Sequence, residues 1–177
     1  MVIMRPTSIV VAGGGTETAS IRAAGGVEFA NSTSLSLNGV FTSDFDDYMI
    51  VMRTKDATAN FNFYARLRSA GTDVTTNYTR QSLNVDSTTI TAGRSTDTAF
   101  RLKETGTTES GMVLHIYGPY LAQPTACRTV VVDSANTVKM YENANTHSLS
   151  TQYDSITMLS LNSAAFTGQL TVFGLAQ

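Results

Sequence analysis

The sequence predicts an all-β fold: an antiparallel β-sandwich or jelly-roll-like domain with a short extended N-terminal arm. Three observations predict it. Phe61, Phe63, Ala65 and Leu67 alternate strictly with Asn62, Tyr64, Arg66 and Arg68, and a period of two puts the two sets on opposite faces of a strand. Ser and Thr form roughly a quarter of the chain while charged residues are only 15%, a composition suited to half-wet strand surfaces. Short apolar runs recur at intervals of about ten residues with turn signals between them, as in sandwiches. Nowhere does a convincing 3.6-residue period appear, so less than a tenth of the chain is expected to be helical. No repeat of fixed length marks a propeller or a β-helix.

Taken in order, Met1–Pro6 reads as an arm, with Pro6 keeping Arg5 extended. Ser8–Ala12 is a first strand, closed by Gly13-Gly14-Gly15. Ala19–Arg22 and Val27–Ala30 flank a turn at Gly25-Gly26. Ser34–Leu37 alternates and leads through Asn38-Gly39 into Val40-Phe41. Residues 1–38 carry few large side chains and read as an arm with a small β appendage, which must pack on the main domain or on a neighbouring subunit. Residues 39–177 read as the sandwich.

Tyr48–Arg53 (YMIVMR) is apolar on both faces, the pattern of a strand covered on both sides. With Phe61–Arg68 it reads as a hairpin in the middle of the sheet. Ala70–Asp73 is a turn; Asn77–Val85 and Thr88–Ala92 are strands joined tightly at Asp86-Ser87, followed by Ala99–Lys103. Gly106–Gly111 reads as a loop, Met112–Tyr117 as a clean strand ended by Gly118-Pro119, and Tyr120–Thr125 as an irregular crossing. Arg128–Asp133, Val138–Glu142, Ile156–Leu161 and Gln169–Leu175 complete the sheet. The expected core contains Ile50, Phe61, Phe63, Leu67, Leu114, Ile116, Val130, Ile156 and Val172.

Composition narrows the function classes. A net charge of −2 argues against a polyanionic partner, although eight basic residues face four acidic ones between Arg53 and Lys103. A lone Cys127 excludes an internal disulfide framework and a multi-cysteine zinc site. The N-terminus lacks a signal-peptide pattern, and no run approaches the ~18 apolar residues of a membrane span. Asp44, Asp46 and Asp47 crowd one turn, but without the glycine and distal glutamate of a calcium loop they read as Asx-turn residues, so no metal site is expected. His115, on the polar face of a strand, and His147, in the Asn143–Ser148 loop, have no visible nucleophile or acid partner. Replacing either by Ala is expected to leave the fold nearly intact. Gly13-Gly14-Gly15 is followed by Thr-Glu-Thr and so is not a phosphate loop. No catalytic residue and no cofactor is expected.

Contact surfaces are the more informative signal. Tyr64, Arg66 and Arg68 share one strand face, and Tyr78 and Arg80 share another; Tyr and Arg are enriched at interfaces. The arm is apolar at Val2, Ile3, Met4, Ile9, Val10 and Val11, a pairing hazard for a lone monomer. Ile3, Arg5, Ile9, Val11, Tyr64, Arg66, Arg68, Tyr78 and Arg80 are therefore the candidate subunit or particle interface, within a symmetric homo-oligomer such as a trimer.

Several segments, chiefly FTSDFDDYMIV (41–51) and IYGPYLAQPTA (116–126), with Arg5–Ile9, NYTRQSL and the ending FTGQLTVFGLAQ, carry a resemblance across nearly the whole chain. It resembles short virion structural proteins of tailed bacteriophages, chiefly those of marine cyanophages, whose related β domains occur in tail fibres and as capsid surface knobs. The resemblance implies a non-enzymatic, multicopy component of the phage particle, made in the host cytoplasm and displayed on the virion. With a compact domain, a short arm and no shaft repeat, the chain fits capsid decoration; a tail appendage binding a host receptor or surface glycan is the alternative. Other virion proteins and further copies of itself are the implied partners, with no nucleic acid and no membrane insertion.

Overall fold

The computed structural model describes residues 1–59, 62–103, 109–133 and 138–176. Among them there is no helix, and fourteen strands account for the ordered backbone: β1 (Val2–Met4), β2 (Ser8–Ile21), β3 (Val27–Asn38), β4 (Asp47–Ala57), β5 (Phe63–Ser69), β6 (Thr72–Asp73), β7 (Tyr78–Asp86), β8 (Thr89–Asp97), β9 (Phe100–Lys103), β10 (Ser110–Tyr117), β11 (Thr125–Asp133), β12 (Lys139–His147), β13 (Ser155–Ser160) and β14 (Phe166–Leu175). Every pairing is antiparallel. One continuous sheet runs β6-β5-β13-β3-β14-β4-β10-β11-β12-β7-β8, with β1 on β14, β2 on β3 and β9 on β5. The sheet curls so that β9, carried by β5, packs against β7, β11 and β12. The result is an all-β, sandwich-like fold.

The corner lies in β3. Its first half, Val27–Ser32, pairs with β14, and its second half, Ser34–Leu37, pairs with β13. Asn31 at the change of partner has a positive φ of 52°, a conformation Asn tolerates better than most residues. Val27, Phe29, Leu35 and Leu37 join the same buried cluster as Ile50, Phe63, Leu67, Leu114, Ile116, Ile156 and Val172. The core thus runs through residue 38 without a break: β3 is a central strand, while β1 and β2 contribute no fully buried residue to it. At the apolar centre, Phe166 meets Phe29 and Phe63 edge-to-face with centroids 5.5 and 5.0 Å apart.

Four expectations are corrected. The strands β4 and β5 do not form a hairpin; β4 pairs with β14 and β10, and β5 with β13, β6 and β9. Alternation marks a strand but carries no address for its partner. Val130 is only half-buried, and Val131 takes the core position, because a Val-Val-Val run is equally apolar in either parity. The glycines at 13–15 do not end the first strand: β2 continues to Ile21, with the register broken between Gly13 and Thr18 and Gly15 at φ 92°. His147 ends β12 and is fully buried, so it belongs to no loop. Phe61 and residues 106–108 of the loop expected at 106–111 lie outside the described residues, while Ser110 and Gly111 belong to β10.

Tight turns follow their residues. Ala70 and Gly71, at φ 49° and 79°, make the two-residue connection of the β5–β6 hairpin, as a primed turn requires. Tyr48 closes the Asp44–Asp47 turn: its hydroxyl donates to the Thr42 carbonyl (2.9 Å) and accepts from the Thr42 N–H (2.7 Å). The Asp47 side chain accepts from the Gly118 N–H at 3.2 Å. Asp47 is thereby tied to backbone geometry, and among the described residues no group of three or more His, Cys, Asp or Glu is placed to hold a metal ion.

Candidate functional site

The face of β4 opposite the core is open. Strict antiparallel registers bring Thr171, Val51, Val113 and Val130 into one row across β14, β4, β10 and β11, and Gln169, Arg53, Gly111 and Val132 into the next. Val51 is 41% exposed and Val132 is 51% exposed. Ile3, held on β14 opposite Phe173, and the turn residues Ala24 and Gly26 raise a wall along one side. The groove measures about 800 Å³. Gly111 leaves part of its floor bare, since a Cβ there would meet nothing within 4 Å.

Charges of both signs rim this face as pairs. Arg53 binds Glu109 through both carboxylate oxygens (2.9 and 3.0 Å), Arg22 lies 3.3 Å from Glu28, and Arg128 lies 2.7 Å from Glu142. All six side chains remain more than a third exposed. Such pairs contribute little to folding. They border the apolar floor as a rim borders an interface core.

The residues singled out from sequence fall in three places. Ile3 stands at the groove wall, and the Arg5 guanidinium donates to the Ala23 carbonyl (2.6 Å), fastening the arm beside it. Ile9 and Val11 are half-buried against the main core. The arm's backbone is therefore paired within its own chain, through Val2, Ile3 and Met4 on β14. The Tyr-Arg residues are engaged internally. Arg68 binds Asp73 (2.7 Å), Ser36 and Thr157 (both 2.8 Å) and also the Gly71 carbonyl. Arg66 donates to the Thr98 carbonyl, and Tyr64 is buried under the Arg101 guanidinium, 5.9 Å from its ring centroid. Tyr78 is a core residue whose hydroxyl accepts from the Leu67 N–H (3.0 Å) and donates to the Val74 carbonyl (3.1 Å). Burial pushes its pKa well above the ordinary tyrosine value. Arg80 lies 3.3 Å from Asp97, with Ser95 bridging. These five are braces and core, not a free face.

The interior beneath β9 is polar to a degree the sequence did not announce. Asn145 clasps the Arg101 backbone, accepting from its N–H (3.1 Å) and donating to its carbonyl (3.3 Å); Asn143 donates to the Leu102 carbonyl (3.0 Å). His147 sits between Tyr78 (centroids 4.6 Å) and Tyr153, whose hydroxyl is 3.2 Å from Nδ1. Burial lowers the His147 pKa, partly offset by the Thr76 backbone. Ala at this position would leave a cavity between the two tyrosine rings, so a loss of stability is expected there in place of tolerance. His115, by contrast, is half-buried on the outer face and stacks on Tyr117. Cys127 is buried, its thiol pKa pushed up to about 12 by desolvation, and is therefore unreactive. Lys103 and Asp133, both wholly buried, form an ion pair at 3.0 Å.

Sequence reasoning missed the groove. Its signal was present in the doubly apolar Tyr48–Arg53 segment, which was read as a sign of internal covering, and in the apolar run Val130–Val132. The chain matches no protein-family model, and comparison with curated proteins returns no match.

Proposed function

We propose that this chain is a non-enzymatic structural component of a bacteriophage virion, a multicopy capsid decoration protein, and that its copies join through the groove over Val51, Val113 and Val130. The observation that carries this is a mismatch between sequence and single-chain structure. β4 has the apolar-on-both-faces pattern of a covered strand, yet within the chain Val51 on its outer face stays exposed, as does Val132 on β11. A second copy supplies the missing layer. The rim suits it, because Arg22, Arg53 and Arg128 stand paired with Glu28, Glu109 and Glu142, and a surface carrying both signs can be self-complementary across a symmetry axis. The resemblance to virion proteins supports the particle setting.

The test is solution mass of the intact chain and of Gly111→Lys, a change that enters open space and places a charge on the groove floor. The intact chain is expected to be oligomeric and to decorate capsids, and the variant to dissociate and lose particle occupancy while keeping its fold. A monomeric intact chain, or a variant that assembles as well as the original, would overturn the groove assignment. Labelled protein imaged at the tail instead of the capsid would replace decoration by an appendage role.

A further inference from the structure

We propose that Lys103 and Asp133 condense to an intramolecular isopeptide bond that staples β9 to β11 across the sandwich interior. The pair has the arrangement such a reaction needs. Both side chains are fully buried, and Nζ lies 3.0 Å from Oδ2, a direct contact with the carboxyl whose Cγ it would attack, so the two groups meet without diffusion. Lysine and aspartate are almost never completely buried unless paired, and even a paired ion in a dry interior carries a large desolvation cost. Moving one proton from the ammonium to the carboxylate removes both charges. Desolvation lowers the Lys103 pKa, which favours the neutral, nucleophilic amine. A hydroxyl stands by for the remaining proton: Ser110 Oγ is 3.1 Å from Nζ and 2.5 Å from the Thr54 hydroxyl.

The step balances without another reactant. The Nζ lone pair attacks Cγ of the protonated Asp133 carboxyl, forming the N–C bond. One amine proton passes through the Ser110 hydroxyl to the departing oxygen, the C–OH bond breaks, and one water leaves. The product is a neutral amide, which suits the same dry site better than two charges. Exclusion of water also opposes the reverse hydrolysis. The two anchor strands belong to opposite wings of the curled sheet, β9 through β5 and β11 through β10 and β12. The bond would therefore tie together layers otherwise held by packing and side-chain hydrogen bonds.

Intact mass spectrometry of the folded, purified chain followed by peptide mapping decides the matter. The expected mass is one water below the sequence mass, with a branched peptide joining Lys103 to Asp133. Asp133→Asn should lose one ammonia instead of one water through the same bond, and Lys103→Arg should keep its full sequence mass. Ser110→Ala, followed by mass after refolding, should slow conversion without changing the product. A folded chain at full sequence mass would overturn the proposal, as would a water loss mapped to any other pair of residues. None of these readouts depends on the groove or on assembly.

Discussion

The two halves of this interior solve the same packing problem with opposite chemistry. Around β3, β13 and β14 the sandwich is filled by Phe29, Phe63, Phe166, Leu35 and Leu37, and burial of each large side chain contributes about 1.5–3 kcal/mol. Beneath β9 the inward positions of β11 and β12 include Thr125, Thr129, Asp133, Asn143, Asn145 and His147, all buried, among the apolar Cys127, Val131 and Tyr141. There the gain lies less in area than in satisfying a short strand. β9 is only four residues long, pairs with β5, and presents backbone groups to the facing layer. Asn143 and Asn145 meet those groups. The contrast teaches that the apolar half supplies stability while the polar half fixes where β9 docks, since a hydrogen-bonded clasp tolerates no slip in register.

Breaking the apolar half should have the largest effect. Phe166→Ala removes the ring shared by Phe29 and Phe63 and is expected to cost about 3–5 kcal/mol, read from chemical denaturation. A loss under about 1 kcal/mol would mean that the three rings do not form the centre of the core.

The polar half should answer to hydrogen bonding. Asn145→Leu keeps the branched shape but strands the Arg101 backbone, with an expected cost of about 1–3 kcal/mol. Amide exchange at Arg101 should accelerate in that variant while exchange in β14 stays slow. Equal acceleration in both places would erase the distinction between the halves.

Acid should act on the polar half as well. The folded-state pKa of His147 is lowered, so the unfolded chain binds more protons once pH falls below the ordinary histidine value of about 6.5. Its contribution is fully present above that pH and is lost as pH falls toward the folded value, by at most about 1.4 kcal/mol per pH unit. Stability should therefore decline from pH ~6.5 downward, and His147→Phe should flatten that limb while His115 remains. A limb unchanged in this variant would assign the acid response elsewhere.

The smallest effect is expected on the rim. Arg53→Ala breaks a half-exposed pair with Glu109 and should change folding stability by no more than about 1 kcal/mol. The same variant should weaken association more than folding, which separates rim charges from the internal Arg68–Asp73 brace.

What the sequence determined by itself was local. Alternation set the parity of β5 and β10, so Phe63, Leu67, Leu114 and Ile116 were legible as core, and glycine at Gly25-Gly26 and Gly71 marked turns. A period of two depends only on neighbouring residues, and that is why it survives without the fold. Tertiary structure alone decided what depends on partners far along the chain. It separated β4 from β5, chose Val131 over Val130 in a run with no alternation, and turned His147 inward between Tyr78 and Tyr153. It also brought Lys103 to Asp133. The groove belongs to both: its apolar residues are written in Tyr48–Arg53 and Val130–Val132, but only the curl of the sheet shows that this chain leaves them uncovered, because covering is a property of layers and not of strands.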